Sequence, residues 1–173
     1  MSKMIRWAAG VGTAAATLLT ASLIVASAPA SAIEQKPLPA FSVAQGDGSA
    51  VLGKDLTRAS QYVLIYVAPN CRPCDRLVQL LKNWKSPEQV ARVVFIVADT
   101  GANAASYVGS LLPQGTAAPL VYGDDKGDAY RALKLTGMPV IIGVRSGRIM
   151  WSVSGVLNDA TTVQSVVRTW VTY

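Results

Sequence analysis

The sequence predicts an α/β domain in which a central, mostly parallel sheet carries helices on both faces and ends in an antiparallel C-terminal hairpin. Two near-continuous apolar runs, 62–67 and 93–98, have the composition of strands buried on both faces, as is typical of parallel sheets. Between these two runs, the apolar residues of 72–85 recur with the spacing of a helix. Near the carboxyl end, two further strand-like runs are joined by only three residues, Arg145–Gly147, and so short a connection requires an antiparallel hairpin.

The segment before the first buried strand is expected to contain a linker and a hairpin. Residues 33–40 include Pro37 and Pro39, and we expect them to form an extended linker. Residues 41–52 predict a hairpin, because two strand-like stretches flank the turn residues Gly46–Gly48.

A helix is predicted over residues 72–85, directly after Cys71. Its apolar positions recur at i, i+3, i+7 and i+10, which places Cys74 on the face that packs against the core. Pro73 lies in the first turn, where its missing N–H costs nothing. The remaining predicted elements are a strand at 93–98, a helix at 102–112, a short strand at 119–122, a helix at 125–135, hairpin strands at 139–144 and 148–153, and a helix at 159–171.

Residues 1–32 predict a secretory signal peptide. Lys3 and Arg6 form a basic start, Trp7–Ala28 carries no charge, and Ala30-Ser31-Ala32 provides a small-x-small cleavage site. The alternative is an uncleaved membrane anchor, because an uncharged run of ~20 residues is long enough to span a bilayer. Either alternative places the domain at 41–173 outside the cytoplasm, in the periplasm or another extracytoplasmic compartment.

The charge and composition of the chain exclude several functions. The 173 residues carry a net charge of +6, but the basic residues are scattered without a run or stripe, so we expect no nucleic-acid partner. The sequence has no histidine, which excludes His-based triads and His-ligated metal sites built from this chain alone. We therefore expect neither a metal nor a cofactor.

The two cysteines are spaced as Cys71-Arg72-Pro73-Cys74, at a predicted junction between strand and helix. Unpaired backbone N–H groups and the helix dipole favour a thiolate there, and the fixed charge of Arg72 adds to the effect. An ordinary thiol has a pKa of ~8.5, whereas a pKa near ~7 leaves about half of it ionised at neutral pH. Cys71 is therefore the predicted nucleophile, and Cys74, facing inward, the predicted resolving thiol.

Alternative roles for the cysteine pair fit less well. A structural disulfide would close a very small loop and constrain the unfolded chain little. A zinc site needs two more ligands, and covalent haem attachment needs a histidine where Asp75 stands. A peroxidase would need a Pro-x-x-x-Thr/Ser-x-x-Cys context, which the residues before Cys71 do not provide.

These features together resemble the thioredoxin superfamily over residues 41–173. The resemblance rests on the strand that ends at Pro69-Asn70, the Cys-x-x-Cys motif, the amphipathic helix, and Gly137-Met138-Pro139 before a hairpin and a terminal helix. The signal peptide, the lead-in at 41–56 and the extra helix at 102–112 look most like the extracytoplasmic TlpA-type branch. The residues alone favour an ordinary trans bond before Pro139, since only about 5–6% of X-Pro bonds are cis.

The resemblance implies a site and an activity. Pro139 would be a cis-proline facing the cysteines, and Met138 would offer its backbone to an extended segment of a partner, with Arg72 and Pro73 on the opposite wall. The implied activity is a protein-disulfide reductase for exported proteins, re-reduced by a membrane electron donor, for instance during cytochrome c maturation. A disulfide oxidase or isomerase, and a redox-inert binding or metal-delivery module, are the alternatives; a copper-delivery module would need a histidine.

The sequence also departs from the family at three positions. Asn70 stands where a tryptophan is usual, and Ile65 and Leu77 stand where related proteins carry acids. Without those acids, proton handling by Cys74 is unexplained, because the adjacent Asp75 is expected to point away from the sulfurs.

Overall fold

The computed structural model describes residues 35–84, 86–155 and 160–172. The predicted signal peptide at 1–32 lies outside these residues. The strands are β1 Lys36–Pro37, β2 Ser42–Ala44, β3 Ala50–Leu52, β4 Gln61–Val67, β5 Val93–Val97, β6 Leu120–Gly123, β7 Val140–Arg145 and β8 Arg148–Ser154. The α-helices are α1 Arg72–Gln79, α2 Pro87–Val90, α3 Gly101–Leu111, α4 Asp128–Ala132 and α5 Ala160–Thr172, and short 3-10 helices span Gly53–Asp55 and Leu80–Asn83.

The eight described strands form one sheet in the order β1-β8-β7-β4-β5-β6-β2-β3. Parallel pairing is confined to β4–β5 and β5–β6. The pairs β4–β7, β7–β8, β1–β8, β2–β6 and β2–β3 are antiparallel. The α/β class and the C-terminal hairpin are confirmed, but the antiparallel part extends well beyond that hairpin, because β7 returns beside β4 in the opposite direction and β2–β3 extend the other edge.

The sheet is buried on both faces, as the apolar runs predict. Alternate residues of β4 point to opposite sides. One apolar cluster contains Ile65 and receives side chains from α1, α3 and α5. The other contains Leu64 and Tyr66 and receives side chains from β2 and α4. The cysteines belong to the first side, where Cys74 is part of the cluster and Cys71 packs against it.

Residues 33–40 were expected to form an extended linker, but part of this segment forms the edge strand β1 of the sheet. Lys36 and Pro37 pair with Ile149 and Arg148, and the backbone N–H of Leu38 donates to the carbonyl oxygen of Gly147. Leu38 also packs against the second apolar cluster. A proline is tolerated here because an edge strand has one side free of ladder hydrogen bonds.

Two helices differ in length from their predicted spans. The helix after Cys71 ends at Gln79 and continues as a 3-10 turn, and the backbone becomes extended at Trp84. The helix predicted over 125–135 is limited to Asp128–Ala132. Its start is fixed by the carboxylate of Asp124, which accepts hydrogen bonds from the N–H groups of Ala129 and Tyr130.

The short helix α2 was not predicted. It begins with Pro87 after Ser86, whose hydroxyl accepts from the N–H of Gln89. Within the described parts of the chain, no helix is both long and apolar enough to cross a membrane.

Candidate functional site

The chain turns sharply between β4 and α1, and this turn delivers the cysteines. β4 ends at Val67, and Asn70 adopts a left-handed conformation with φ of 61°. Asparagine tolerates this conformation better than most residues with a Cβ. A conformational role therefore accounts for the asparagine directly before Cys71.

Cys71 and Cys74 are joined as a disulfide, with their Cα atoms 5.2 Å apart. Cys74 has no exposed surface and lies in the same apolar cluster as Ile65 and Leu77. Cys71 is half-buried at the edge of that cluster. Cys71 therefore retains some solvent-accessible surface, whereas Cys74 has none.

The helix start offers fewer free N–H groups than expected. The carbonyl oxygen of Cys71 accepts from the N–H of Cys74 at 2.8 Å and from that of Asp75 at 3.0 Å, and Pro73 has no N–H. Among the described residues, only Arg72 of the first helical turn retains a backbone N–H without a partner. Stabilisation of a Cys71 thiolate thus depends on one N–H group, the helix dipole and the exposed Arg72 side chain.

Met138 and Pro139 lie at the same end of the sheet as the cysteines. Val140, the first residue of β7, pairs with Tyr66 near the end of β4, so Pro139 lies just beyond this pair, beside the strand end that leads to Cys71. The Met138–Pro139 bond is cis, as the resemblance implies. Pro139 is buried and Met138 is 36% exposed.

Asp75 has a specific partner that sequence reasoning missed. Its Oδ1 accepts a 2.7 Å hydrogen bond from the hydroxyl of Tyr107 on α3. Burial, followed by this hydrogen bond, raises the pKa of Tyr107. Tyr107 packs against the same apolar cluster as Cys71. The sequence showed only that Tyr107 lies in a predicted helix. It did not link Tyr107 to Asp75, which lies 32 positions away.

The surroundings of Cys74 are apolar. Ile65 and Leu77 are buried beside it in one cluster. In the described portion, no group of three or more potential ligand side chains is arranged to hold a metal ion.

Among the comparisons with known proteins, only the comparison of three-dimensional structures finds similar proteins, and these share the fold. No protein-family model matches the sequence, and no curated protein does. A solved Chlorobium tepidum protein assigned as thiol:disulfide interchange protein DsbE superposes with a TM-score of 0.61 at 20% identity, over 79% of this chain and 96% of that one. Mycobacterium tuberculosis DsbF superposes with a TM-score of 0.53 at 23% identity, over 76% of this chain and 92% of that one.

A secreted Mycobacterium tuberculosis disulfide oxidoreductase, homologous to Escherichia coli DsbE, is also similar. Its TM-score is 0.54 at 20% identity, over 75% of this chain and 95% of that one. The fold is that of thioredoxin. In this chain the Cys-x-x-Cys turn and the cis-proline bond lie at the same end of the sheet.

Proposed function

We propose that this chain is an exported thiol–disulfide oxidoreductase of the TlpA type, with Cys71 as nucleophile and Cys74 as resolving thiol. The observation that carries the proposal is the difference in access across the disulfide. Cys71 is half-buried at the start of α1, whereas Cys74 is fully enclosed in the core. A purely structural disulfide does not need one cysteine to be more accessible than the other. Disulfide exchange with a partner, in which one cysteine attacks first, does.

The reaction passes through a mixed disulfide. The Cys71 thiolate attacks one sulfur of a partner's disulfide, and the other sulfur leaves as a thiolate that takes up a proton. The Cys74 thiolate then attacks the sulfur of Cys71 and releases the second partner thiol. Two electrons pass from the dithiol to the partner, and the product is the Cys71–Cys74 disulfide that the structure contains.

The partner's extended segment would lie along Met138. This residue is exposed at the same sheet end as Cys71, and Pro139 beside it is buried. Exposed Arg72 and half-buried Pro73 would contact the segment from the side of α1. Backbone hydrogen bonds to Met138 would orient the partner without demanding a particular sequence.

We propose disulfides of exported proteins as the substrates, and a membrane-bound dithiol donor for re-reduction. The signal-like sequence of residues 1–32 supports a location in the periplasm or another extracytoplasmic compartment. One structurally similar protein is itself a secreted disulfide oxidoreductase. Reduction is the direction that the TlpA-type resemblance implies.

Mixed-disulfide trapping tests the site. Cys74→Ser leaves Cys71 free to attack but removes the resolving thiol, so we expect it to accumulate covalent complexes that dithiothreitol releases. Cys71→Ser is the matched control and should trap nothing, because Cys74 is enclosed. Equal trapping by both variants, or by neither, contradicts the assignment.

The equilibrium reduction potential of the pair tests the direction. Disulfide oxidoreductases range from about −270 mV for thioredoxin to about −120 mV for DsbA. We expect a value in the reducing half of this range. A reduction potential near the oxidising end would indicate a disulfide oxidase instead of a reductase.

A further inference from the structure

A cavity lies at the other end of the central strand from the cysteines. It has a volume of about 580 Å³ and is formed by residues 38–41, 52–54, 57, 59, 60, 62 and 147. Volumes of about 300–1,000 Å³ are usual for small-molecule sites. Tyr62 lies at the start of β4 and Val67 at its end, and five residues of strand span ~17 Å. The cavity is therefore separate from the redox site.

The walls of this cavity are mainly apolar. Leu38, Pro39 and Phe41 line one part, and Leu52 contributes a side chain that is 52% exposed. Gly53 lets the ring of Phe41 lie close to the backbone, because a Cβ at this position would overlap that ring unless it moved. Such walls suit a hydrocarbon or an aromatic ring rather than a sugar or a nucleotide.

One polar group inside the cavity has no partner. Tyr62 is only 6% exposed, yet its hydroxyl makes no hydrogen bond to any described residue. The hydroxyls of Tyr66, Tyr107 and Tyr122 donate to Asp124, Asp75 and the carbonyl oxygen of Leu56, respectively. Buried tyrosines usually find such a partner. Burial alone raises the pKa of Tyr62 to about 12, so its hydroxyl remains a donor at neutral pH.

The Tyr62 hydroxyl is reachable from solvent. Among the described residues, the only fully enclosed side-chain polar atom without a partner is Nε1 of Trp84. The unpartnered Tyr62 hydroxyl is therefore not fully enclosed, and the cavity that Tyr62 lines provides the path to it. A bound molecule that enters the cavity can accept a hydrogen bond there.

The charge of the lining is positive. Lys54 is exposed and is the only charged residue of the lining, which contains neither Asp nor Glu. Lys54 forms no ion pair within the described parts of the chain. An anionic group is therefore favoured in this cavity, since the lining contains no carboxylate to repel it.

We propose that this cavity binds an amphiphilic carboxylate, such as a medium-chain fatty acid or an aryl carboxylate. The apolar body lies against Leu38, Phe41 and Leu52. The carboxylate accepts a hydrogen bond from the Tyr62 hydroxyl and pairs with the Lys54 ammonium group. This inference is independent of the proposed redox function.

Isothermal titration calorimetry of the purified oxidised protein with decanoate tests the proposal, below the concentration at which decanoate aggregates. We expect saturable binding of one decanoate per chain and at least about tenfold weaker binding of decanol, which lacks the charge. Tyr62→Phe and Lys54→Gln should each weaken decanoate binding by about five- to tenfold. Lys126→Gln, an exposed lysine outside the cavity, should leave it unchanged.

Three results would overturn the proposal. These are no saturable binding to the wild-type protein, equal binding of decanoate and decanol, or decanoate binding unaffected by Lys54→Gln. Lys54 is exposed, so its substitution leaves the fold intact even where Tyr62→Phe does not.

Discussion

The Tyr107 hydroxyl donates a 2.7 Å hydrogen bond to the carboxylate of Asp75, the residue directly after Cys74. The N–H of Asp75 donates in turn to the carbonyl oxygen of Cys71, so Asp75 lies one helical turn after the half-buried cysteine. Tyr107 of helix α3 thus holds the carboxylate of the residue that directly follows Cys74 in the sequence.

Replacing Asp75 with asparagine should make the dithiol easier to form. A negative charge near the pair disfavours the thiolate of the reduced state, and its removal relieves this cost. Because Asp75 is partly exposed, we expect a modest effect: the equilibrium constant with glutathione should shift about threefold towards the dithiol, equivalent to ~15 mV less negative. Asp125→Asn, an exposed carboxylate after β6, is the control, and an equal shift in this variant would exclude a local effect.

Replacing Tyr107 with phenylalanine should destabilise the oxidised protein. The change removes the only hydrogen bond described between α1 and α3 side chains and leaves the Asp75 carboxylate without this donor. We expect the free energy of unfolding in urea to fall by about 1–2 kcal/mol. Tyr130→Phe is a matched control, because the Tyr130 hydroxyl makes no hydrogen bond within the described chain, and it should cost far less.

The sequence predicted the parts of this site that depend on local pattern. The apolar strand, the inward position of Cys74 and the proline before β7 all follow from residues close together in the chain. The Tyr107–Asp75 bond could not be predicted, because it joins two helices through packing of the fold. The reduced number of free N–H groups depends on the geometry of the first helical turn, in which the Cys74 N–H bends back to Cys71.

The same limit applies to the fold. The helix expected at 125–135 was too long because its apolar pattern continues past the turn where Lys134 adopts a left-handed φ of 53°. The pairing of Lys36–Pro37 with β8 was missed because two residues carry no alternating pattern. Strand pairing between distant segments is decided by packing rather than by either segment alone.

Two glycines of α3 should respond oppositely to alanine. Alanine is favoured over glycine in a helix by about 0.5–1 kcal/mol. Gly109 has open space around it, so Gly109→Ala should raise stability by about that amount. Gly101 is the first residue of α3, and there the added Cβ would overlap the backbone carbonyl of Gln45, so Gly101→Ala should destabilise. Thermal unfolding compares the two, and a stabilised Gly101→Ala would contradict the close approach of α3 to the residue after β2.

The buried tyrosines should make the fold sensitive to alkali. Burial raises the pKa of Tyr62 to about 12 in the folded state, against ~10 in the unfolded chain. The neutral form is favoured by folding, so this contribution is complete below pH ~10 and is lost between pH ~10 and ~12. The urea midpoint should fall between pH 9 and pH 11, and it should fall less in Tyr62→Phe than with Tyr62 present. Both proteins carry Cys71→Ser and Cys74→Ser, which remove thiol chemistry. Equal falls with and without the Tyr62 hydroxyl would contradict the burial of this side chain.

The reduction of insulin by dithiothreitol tests the central claim most directly. If Cys71 exchanges disulfides with other proteins and Cys74 completes the cycle, catalytic amounts of the protein should shorten the delay before the insulin B chain precipitates. Cys71→Ser should abolish this acceleration. A wild-type protein that leaves the rate at that of dithiothreitol alone, or a Cys71→Ser variant as active as wild type, would contradict the account.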